Sequence, residues 1–216
     1  MIISLTGFMG SGKSSVGREL TSLLSLPGGP CDFIDLDEYI VESEGMSVNG
    51  IFARDGESGF RSIETRCLVT LLEQYEDRNL VLALGGGTAV YNPELIHSRT
   101  LCIYLSASVD TLVSRLASDT SRPLLAGTSA KQSGSSLHNQ EGASTMEAGS
   151  LPHNTANASK DCDGSDRVEK PEEELRSRIE QLYSARETSY CNVAHHIVAT
   201  DGLSVSALAL CIAGLF

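Results

Sequence analysis

A glycine-rich stretch near the start of the chain has the spacing of a phosphate-binding loop. Residues 7–14 read Gly-Phe-Met-Gly-Ser-Gly-Lys-Ser and satisfy G-x-x-x-x-G-K-[ST]. In such a loop the backbone N–H groups surround phosphate oxygens, the lysine reaches the outer phosphates and the hydroxyl ligates Mg²⁺. A turn that only caps a helix is the alternative, but an apolar run before the motif and an amphipathic run after it favour nucleotide binding. The expected nucleotide-binding residues here are Gly10, Ser11, Gly12, Lys13, Ser14 and Ser15.

The motif identifies a nucleotide site but not a reaction, because GTPase switches, ATPase motors and small-molecule kinases all contain it. No N-K-x-D guanine signature ends a predicted strand, and motors usually need chains longer than 216 residues. Chain length therefore favours a small kinase.

Two aspartates stand two residues apart where a buried strand is predicted to end. In the segment Phe33-Ile34-Asp35-Leu36-Asp37, both carboxylates can lean over the carboxyl edge of a parallel sheet, where ligands of open α/β sheets bind. One carboxylate could hold Mg²⁺ and the other could accept a proton from an attacking hydroxyl. Aspartate is also a common helix N-cap, so the segment alone leaves both interpretations open.

Arg61 and a run of three glycines supply further candidates. Arg61 lies early on an amphipathic helix, where a single arginine is usually solvated, so it is a weak signal by itself. Gly85, Gly86 and Gly87 follow a buried strand, and glycine there permits either a tight turn or the close approach of a ligand.

Six sequence blocks occur in the order found in the shikimate kinase family, and the chain resembles this family. The blocks are the phosphate loop extended to Arg18, FIDLD at residues 33–37, GESGFRSIE at 56–64, LGGG at 84–87, RPLL at 122–125 and RETSYCNVA at 186–194. The resemblance covers the chain apart from a polar stretch. It implies ATP-dependent phosphorylation of the 3-hydroxyl of shikimate, with ATP and Mg²⁺ as cofactors.

The resemblance also implies roles on the nucleotide side of the site. Lys13 and the lid arginine, matched by Arg122, are expected to contact the phosphates during catalysis. Arg115 matches the arginine beside adenine, and Ser14 with Asp35 matches the pair associated with Mg²⁺.

On the substrate side, Asp37 matches the aspartate that binds the ring hydroxyls and is the candidate base. Arg61 and Arg186 match the pair that holds the substrate carboxylate, and the three glycines 85–87 match the lining of that pocket. The chemistry agrees, because a guanidinium offers a rigid bidentate fork to a carboxylate.

Two other functions compete with this hypothesis. A kinase of neighbouring specificity, such as a gluconate-type kinase, also binds an acid, so the arginines alone do not exclude it. A nucleotide-binding module that has lost catalysis is the alternative from a different class, but the chain retains every catalytic and binding residue that the kinase hypothesis needs.

Short apolar runs alternate with longer amphipathic stretches, which predicts an α/β three-layer sandwich around a parallel sheet. The predicted strands are Ile2–Thr6, Phe33–Asp35, Leu80–Leu84, Leu101–Leu105 and His196–Thr200, each buried on both faces. The predicted helices are Lys13–Leu24, Asp37–Glu44, Glu57–Gln74, Val109–Ala117, Pro171–Glu187 and Leu203–Leu215. The resemblance adds a five-stranded sheet of order 2-3-1-4-5, the P-loop kinase fold.

We expect residues 1–216 to form one domain, with residues 128–170 as a flexible polar insertion in the lid region, since they hold few large apolar side chains. The net charge of −12 argues against a nucleic-acid partner, and no segment is long and apolar enough for a membrane. We therefore expect a cytoplasmic monomer that binds a small-molecule substrate.

Overall fold

The strands form a single parallel sheet in the computed structural model, which describes residues 1–117 and 169–216. They are β1 (Ile2–Thr6), β2 (Cys31–Asp35), β3 (Asn79–Ala83), β4 (Leu101–Ser106) and β5 (His196–Ala199). Their order is β2-β3-β1-β4-β5, and all four pairings are parallel. The predicted fold class and strand order are therefore confirmed. Arg122 and nearly all of the predicted insertion lie outside the described residues.

Helices cover both faces of the sheet. They are α1 (Lys13–Gly28), α2 (Leu36–Glu44), α3 (Val48–Gln74), α4 (Thr88–Tyr91), α5 (Pro93–Arg99), α6 (Val109–Leu116), α7 (Glu169–Val193) and α8 (Val205–Ala213). The short helices α4 and α5 were not among the predicted helices, and α7 begins two residues before the predicted start at Pro171, within the last residues of the predicted insertion.

Helix α3 differs most from the prediction, because it begins at Val48 rather than at Glu57. Ser47 caps it by accepting a hydrogen bond from Gly50 N, and the helix is broken once at Gly56, where φ is 70°. The segment from Glu57 onward is therefore a second helical piece with its own start, which is the piece that the sequence predicts.

Alternating side chains of the strands pack into two separate hydrophobic cores, one on each face of the sheet. Ile3 and Leu5 of β1 pack with α1 and α8, whereas Leu80 and Leu82 of β3 pack with α2, α3 and α7 on the other face. Since side chains of a strand alternate between faces, each strand stabilises both layers. The packing of the two cores therefore fixes the positions of the strand ends.

The prediction that all strands are buried on both faces is wrong for β5. His196, Ile197 and Ala199 are exposed to solvent, Ile197 to 58%. The strand lies at the edge of the sheet, where one neighbour is missing and fewer helices reach. No helix in the described part of the chain is long and apolar enough to cross a membrane.

The turn after β5 is tied to the start of α6 by Asp201. Its carboxylate accepts hydrogen bonds from Thr111 Oγ1 at 2.5 Å, from Ser108 Oγ at 2.7 Å and from Ser108 N at 3.1 Å. The Thr111 and Ser108 donors hold the pKa of the Asp201 carboxyl below its usual range, because they bond to the ionised form. The ionised carboxylate therefore stabilises the folded chain.

We expect Asp201→Ala to lower the free energy of unfolding by about 1 kcal/mol or less, as is usual for exposed hydrogen bonds. Because the folded-state pKa is depressed, this contribution is present above the unfolded pKa and is lost as the pH falls through the folded value. Urea unfolding should show a full difference at about pH 7 that shrinks below about pH 4. A pH-independent difference would contradict this account, and Asp77→Ala at another exposed turn is the control.

Candidate active site

The phosphate loop joins the end of β1 to the start of α1. Gly7, Gly10 and Gly12 all have positive φ. At Gly7, φ is 142° and a Cβ atom would lie 2.6 Å from the backbone oxygen of Leu105, so a side chain has no room here. A backbone of this kind at the positive end of a helix is suited to an anion.

Two polar side chains of the loop fit a phosphate ligand. Lys13 Nζ donates hydrogen bonds of 3.0 Å to Gly7 O and to Phe8 O, so its ammonium group lies against the loop. Ser11 is buried, and its hydroxyl has no hydrogen-bond partner among the described residues. A phosphate oxygen would supply the missing acceptor, whereas Ser15 is exposed on the first turn of α1.

Asp35 joins the two helices that border the phosphate loop. Its Oδ2 accepts a hydrogen bond of 2.5 Å from Ser14 Oγ on α1. Its Oδ1 accepts a hydrogen bond of 3.0 Å from Asp37 N and thereby caps α2. The helix-cap interpretation is therefore confirmed, and the same carboxylate also pairs with the serine of the loop.

Ser14 and Asp35 offer the oxygen donors that Mg²⁺ prefers. The ion is usually held by one or two protein oxygens together with substrate phosphates and water. A hydroxyl and a carboxylate in contact beside a phosphate loop fit this mode. The described residues contain no group of three or more His, Cys, Asp or Glu side chains that could hold a metal ion.

The glycine turn between β3 and α4 brings the two halves of the site together. A Cβ atom at Gly85 would lie 3.0 Å from Asp37 Oδ1 and from Glu64 Oε1. A Cβ atom at Gly86 would lie 3.7 Å from Arg186 NH1 and 3.9 Å from Met9 N of the phosphate loop. The acidic, basic and phosphate-binding candidates therefore meet around one turn.

Arg61 reaches this turn from α3 and is held by a buried carboxylate. Its NH1 donates a hydrogen bond of 2.8 Å to Glu64 Oε2, and Glu64 is fully buried. Thr88 Oγ1 donates to the other oxygen, Glu64 Oε1, at 2.7 Å. Both carboxylate oxygens are thus satisfied, which buried charges require.

The guanidinium of Arg61 is enclosed on its remaining sides. Its carbon lies 4.5 Å from the centroid of the Tyr91 ring and 5.1 Å from that of Phe60. A Cβ atom at Gly87 would lie 2.6 Å from Arg61 NH2, so only glycine permits this approach. Burial opposes the charged form, but the Glu64 carboxylate outweighs it and raises the pKa of Arg61.

Arg186 and Tyr190 reach the same turn from α7, one helical turn apart. Arg186 NH1 and Tyr190 OH both donate to Gly86 O, at 3.3 Å and 2.5 Å. Tyr190 is fully buried, and burial raises its pKa to about 12, so the phenol remains a donor at neutral pH. Arg61 and Arg186 therefore converge on adjacent glycines.

Arg115 lies on the far side of the phosphate loop. It donates to Gly10 O at 3.1 Å and to Thr200 Oγ1 at 3.4 Å, so it bridges the loop and the end of β5. The family resemblance implies that this arginine lies beside adenine, which stays a prediction. Arg122, the expected lid residue, lies outside the described residues.

Glu64, Thr88, Tyr91 and Tyr190 contact the site but were not predicted. One signal was available for Glu64, because residues three apart on a helix lie on the same face and Arg61 therefore had a nearby carboxylate. Thr88 and Tyr91 directly follow the glycine turn on α4, but no local spacing relates them to Arg61, and Tyr190 comes from α7.

The phosphate loop after the first strand of a parallel 2-3-1-4-5 sheet defines a P-loop protein of the small-kinase type. A family model described as shikimate kinase matches residues 9–165. The chain belongs to the shikimate kinase family. Arg186 lies beyond the matched residues.

Curated relatives agree with this assignment. The chain is similar to a shikimate kinase of Chlorobaculum tepidum, with 44% identity over 128 residues, 58% of this chain and 63% of the relative. It is also similar to one of Xanthomonas oryzae pv. oryzae, with 42% identity over 123 residues, 56% of this chain and 64% of the relative. The chain thus spans less than two thirds of the length of these relatives.

Solved structures support the fold over almost the whole length. A shikimate kinase from Acinetobacter baumannii in complex with shikimate has a TM-score of 0.67 and 30% identity, covering 99% of this chain and 91% of that one. One from Bacteroides thetaiotaomicron has a TM-score of 0.70 at 24% identity, covering 100% and 97%, and supports the fold alone.

We expect Gly87→Ala to lower the free energy of unfolding by about 1–3 kcal/mol, because its Cβ atom would displace the Arg61 guanidinium from Glu64. Chemical denaturation measures the effect. In an Arg61→Ala background the same change should cost little, since the obstructed group is gone. Equal costs in both backgrounds would contradict the contact, and Gly214→Ala, whose Cβ atom would have 3.5 Å of clearance, is the control.

Proposed function

We propose that the chain transfers the γ-phosphoryl group of ATP to the 3-hydroxyl of shikimate, giving shikimate 3-phosphate and ADP. The observation that carries this proposal is the convergence of Arg61 and Arg186 on the glycine turn, beside Asp37 and the phosphate loop. Family membership supports it, as does the relative from Acinetobacter baumannii that was solved with shikimate.

In the proposed complex, Arg61 and Arg186 hold the shikimate carboxylate from two helices. Two guanidinium groups on one turn select an acid over a neutral polyol, because each offers a charged and directional donor pair. With the carboxylate fixed, the ring lies beside Asp37, whose Oδ1 borders Gly85. Asp37 then orients the 3-hydroxyl and accepts its proton as the oxygen attacks phosphorus.

On the nucleotide side, the phosphate loop, Lys13 and the Ser11 hydroxyl bind the phosphates of ATP. The bond between the γ-phosphorus and the bridging oxygen breaks as the new P–O bond forms, and ADP leaves. Lys13 moves from its loop carbonyl acceptors to the phosphates and stabilises their negative charge. When bound by Ser14 and Asp35, Mg²⁺ supplies further neutralisation of the phosphates.

Other parts of the proposal rest on the resemblance. Arg115 borders the adenine, as its bridge between the phosphate loop and Thr200 suits. Arg122 closes over the phosphates from the lid, and the polar stretch 128–170 is a tolerated spacer within it. The cytoplasmic location and the monomeric state stay predictions.

The first test is ADP release from MgATP by the purified protein with shikimate, with gluconate and with neither. We expect release only with shikimate and a phosphate ester at its 3-position, detected by ³¹P NMR. Release with gluconate alone would keep the nucleotide site and reject the acceptor. No release with retained ATP binding would favour a module that has lost catalysis.

Two substitutions should separate the halves of the site. Lys13→Ala should lower kcat by about 100-fold or more with a small change in the KM for shikimate.

Arg186→Ala should raise the KM for shikimate by about 10- to 100-fold and leave ATP affinity almost unchanged. Steady-state kinetics distinguish the two patterns, and Arg99→Ala, at an exposed position of α5, is the control. Equal loss of both affinities in Arg186→Ala would show that the residue is misassigned.

A further inference from the structure

Two carboxylates flank the guanidinium of Arg61, and they are held very differently. Glu64 is fully buried and accepts from NH1 at 2.8 Å. Glu57 is 60% exposed and lies 3.6 Å from NH2, beyond hydrogen-bond distance. The first pairing is permanent because an unpaired charge in the core is costly, whereas the second can be exchanged at little cost.

Tyr91 keeps the exposed carboxylate beside Arg61. Its hydroxyl donates a hydrogen bond of 3.0 Å to Glu57 Oε1, the same oxygen that faces Arg61 NH2. Its ring lies over the guanidinium at 4.5 Å. One tyrosine therefore contacts both members of the weak ion pair and holds them together.

The nitrogen that faces Glu57, NH2, also belongs to the edge of Arg61 that still has a donor to offer. A guanidinium can bind a carboxylate bidentately through Nε and NH2, and NH1 is already bonded to Glu64. Among the described residues no acceptor reaches the buried Nε. A carboxylate that takes this edge gains a donor that Glu57 does not use.

Glu57 can leave this position without disturbing the core. It directly follows Gly56, where α3 is broken, and its side chain points into solvent-accessible space. The contacts that anchor this part of α3 come from later residues such as Phe60 and Ile63. Exchange of one carboxylate for another therefore needs only a rotation of the Glu57 side chain.

We propose that Glu57 tunes the affinity of the site for acids, as a resident carboxylate on Arg61 that the carboxylate of the substrate displaces. Tyr91 is the positioning residue that keeps Glu57 in place until then. This inference rests on the proposed function, since it requires an acid as substrate. Glu57 lowers the affinity of every acid that binds Arg61, and a ligand that also contacts Arg186 and Asp37 has further interactions that offset this cost.

The test is isothermal titration of shikimate into the wild type and three variants. E57Q should bind shikimate about two- to fivefold more tightly, the range of one exposed charge interaction, because the competing charge is gone. Y91F keeps the ring but releases Glu57, and should bind more tightly by a smaller factor. E64Q should bind more weakly, because it removes the permanent partner of Arg61.

Further measurements separate exchange from a general charge effect. The gain of E57Q should shrink at high salt, and the double variant E57Q/Y91F should bind no more tightly than E57Q. E42Q removes an equal charge from an exposed position of α2 and should leave affinity unchanged. Unchanged or weaker binding by folded E57Q, or an equal gain in E42Q, would overturn the inference. Absence of shikimate binding by the wild type would instead reject the proposed function.

Discussion

The ends of β1, β2 and β3 lie side by side at one edge of a parallel sheet, and the whole candidate site depends on this placement. The phosphate loop follows β1, the two aspartates stand at the end of β2 and the start of α2, and the glycine turn follows β3. Three segments far apart in sequence therefore meet without any long connection having to fold into the site. Both cores hold the strands in register, so the packing of apolar side chains fixes the relative positions of the polar ones.

The guanidinium of Arg61 is preorganised for a ligand by the residues that enclose it. Burial alone would penalise the guanidinium, and the fully buried Glu64 offsets that penalty. With Gly87 below it and Tyr91 over its face, the group has little freedom left to lose when an acid arrives. Affinity thus comes in part from order that folding has already imposed.

Local patterns in the sequence predict the strands, most helices and the phosphate loop, because each depends on residues that are neighbours in the chain. The first half of α3 was not predicted, because Gly50 and Gly56 weaken its helical pattern. The capping residue Ser47 was the one local signal for its start. The exposure of β5 escaped because an apolar edge strand reads like a central one. Contacts of Tyr91 and Tyr190 depend on three-dimensional packing, which no spacing in one chain encodes.

Asp35 divides its two carboxylate oxygens between different tasks. One oxygen bonds to Ser14 on α1, and the other bonds to the backbone N–H of Asp37 and so begins α2. An alanine at this position would therefore remove the acceptor of the loop serine hydroxyl, fray a helix and release the neighbouring aspartate in a single step. Any kinetic defect of such a variant would be a sum of three effects, and metal affinity could not be read from it alone.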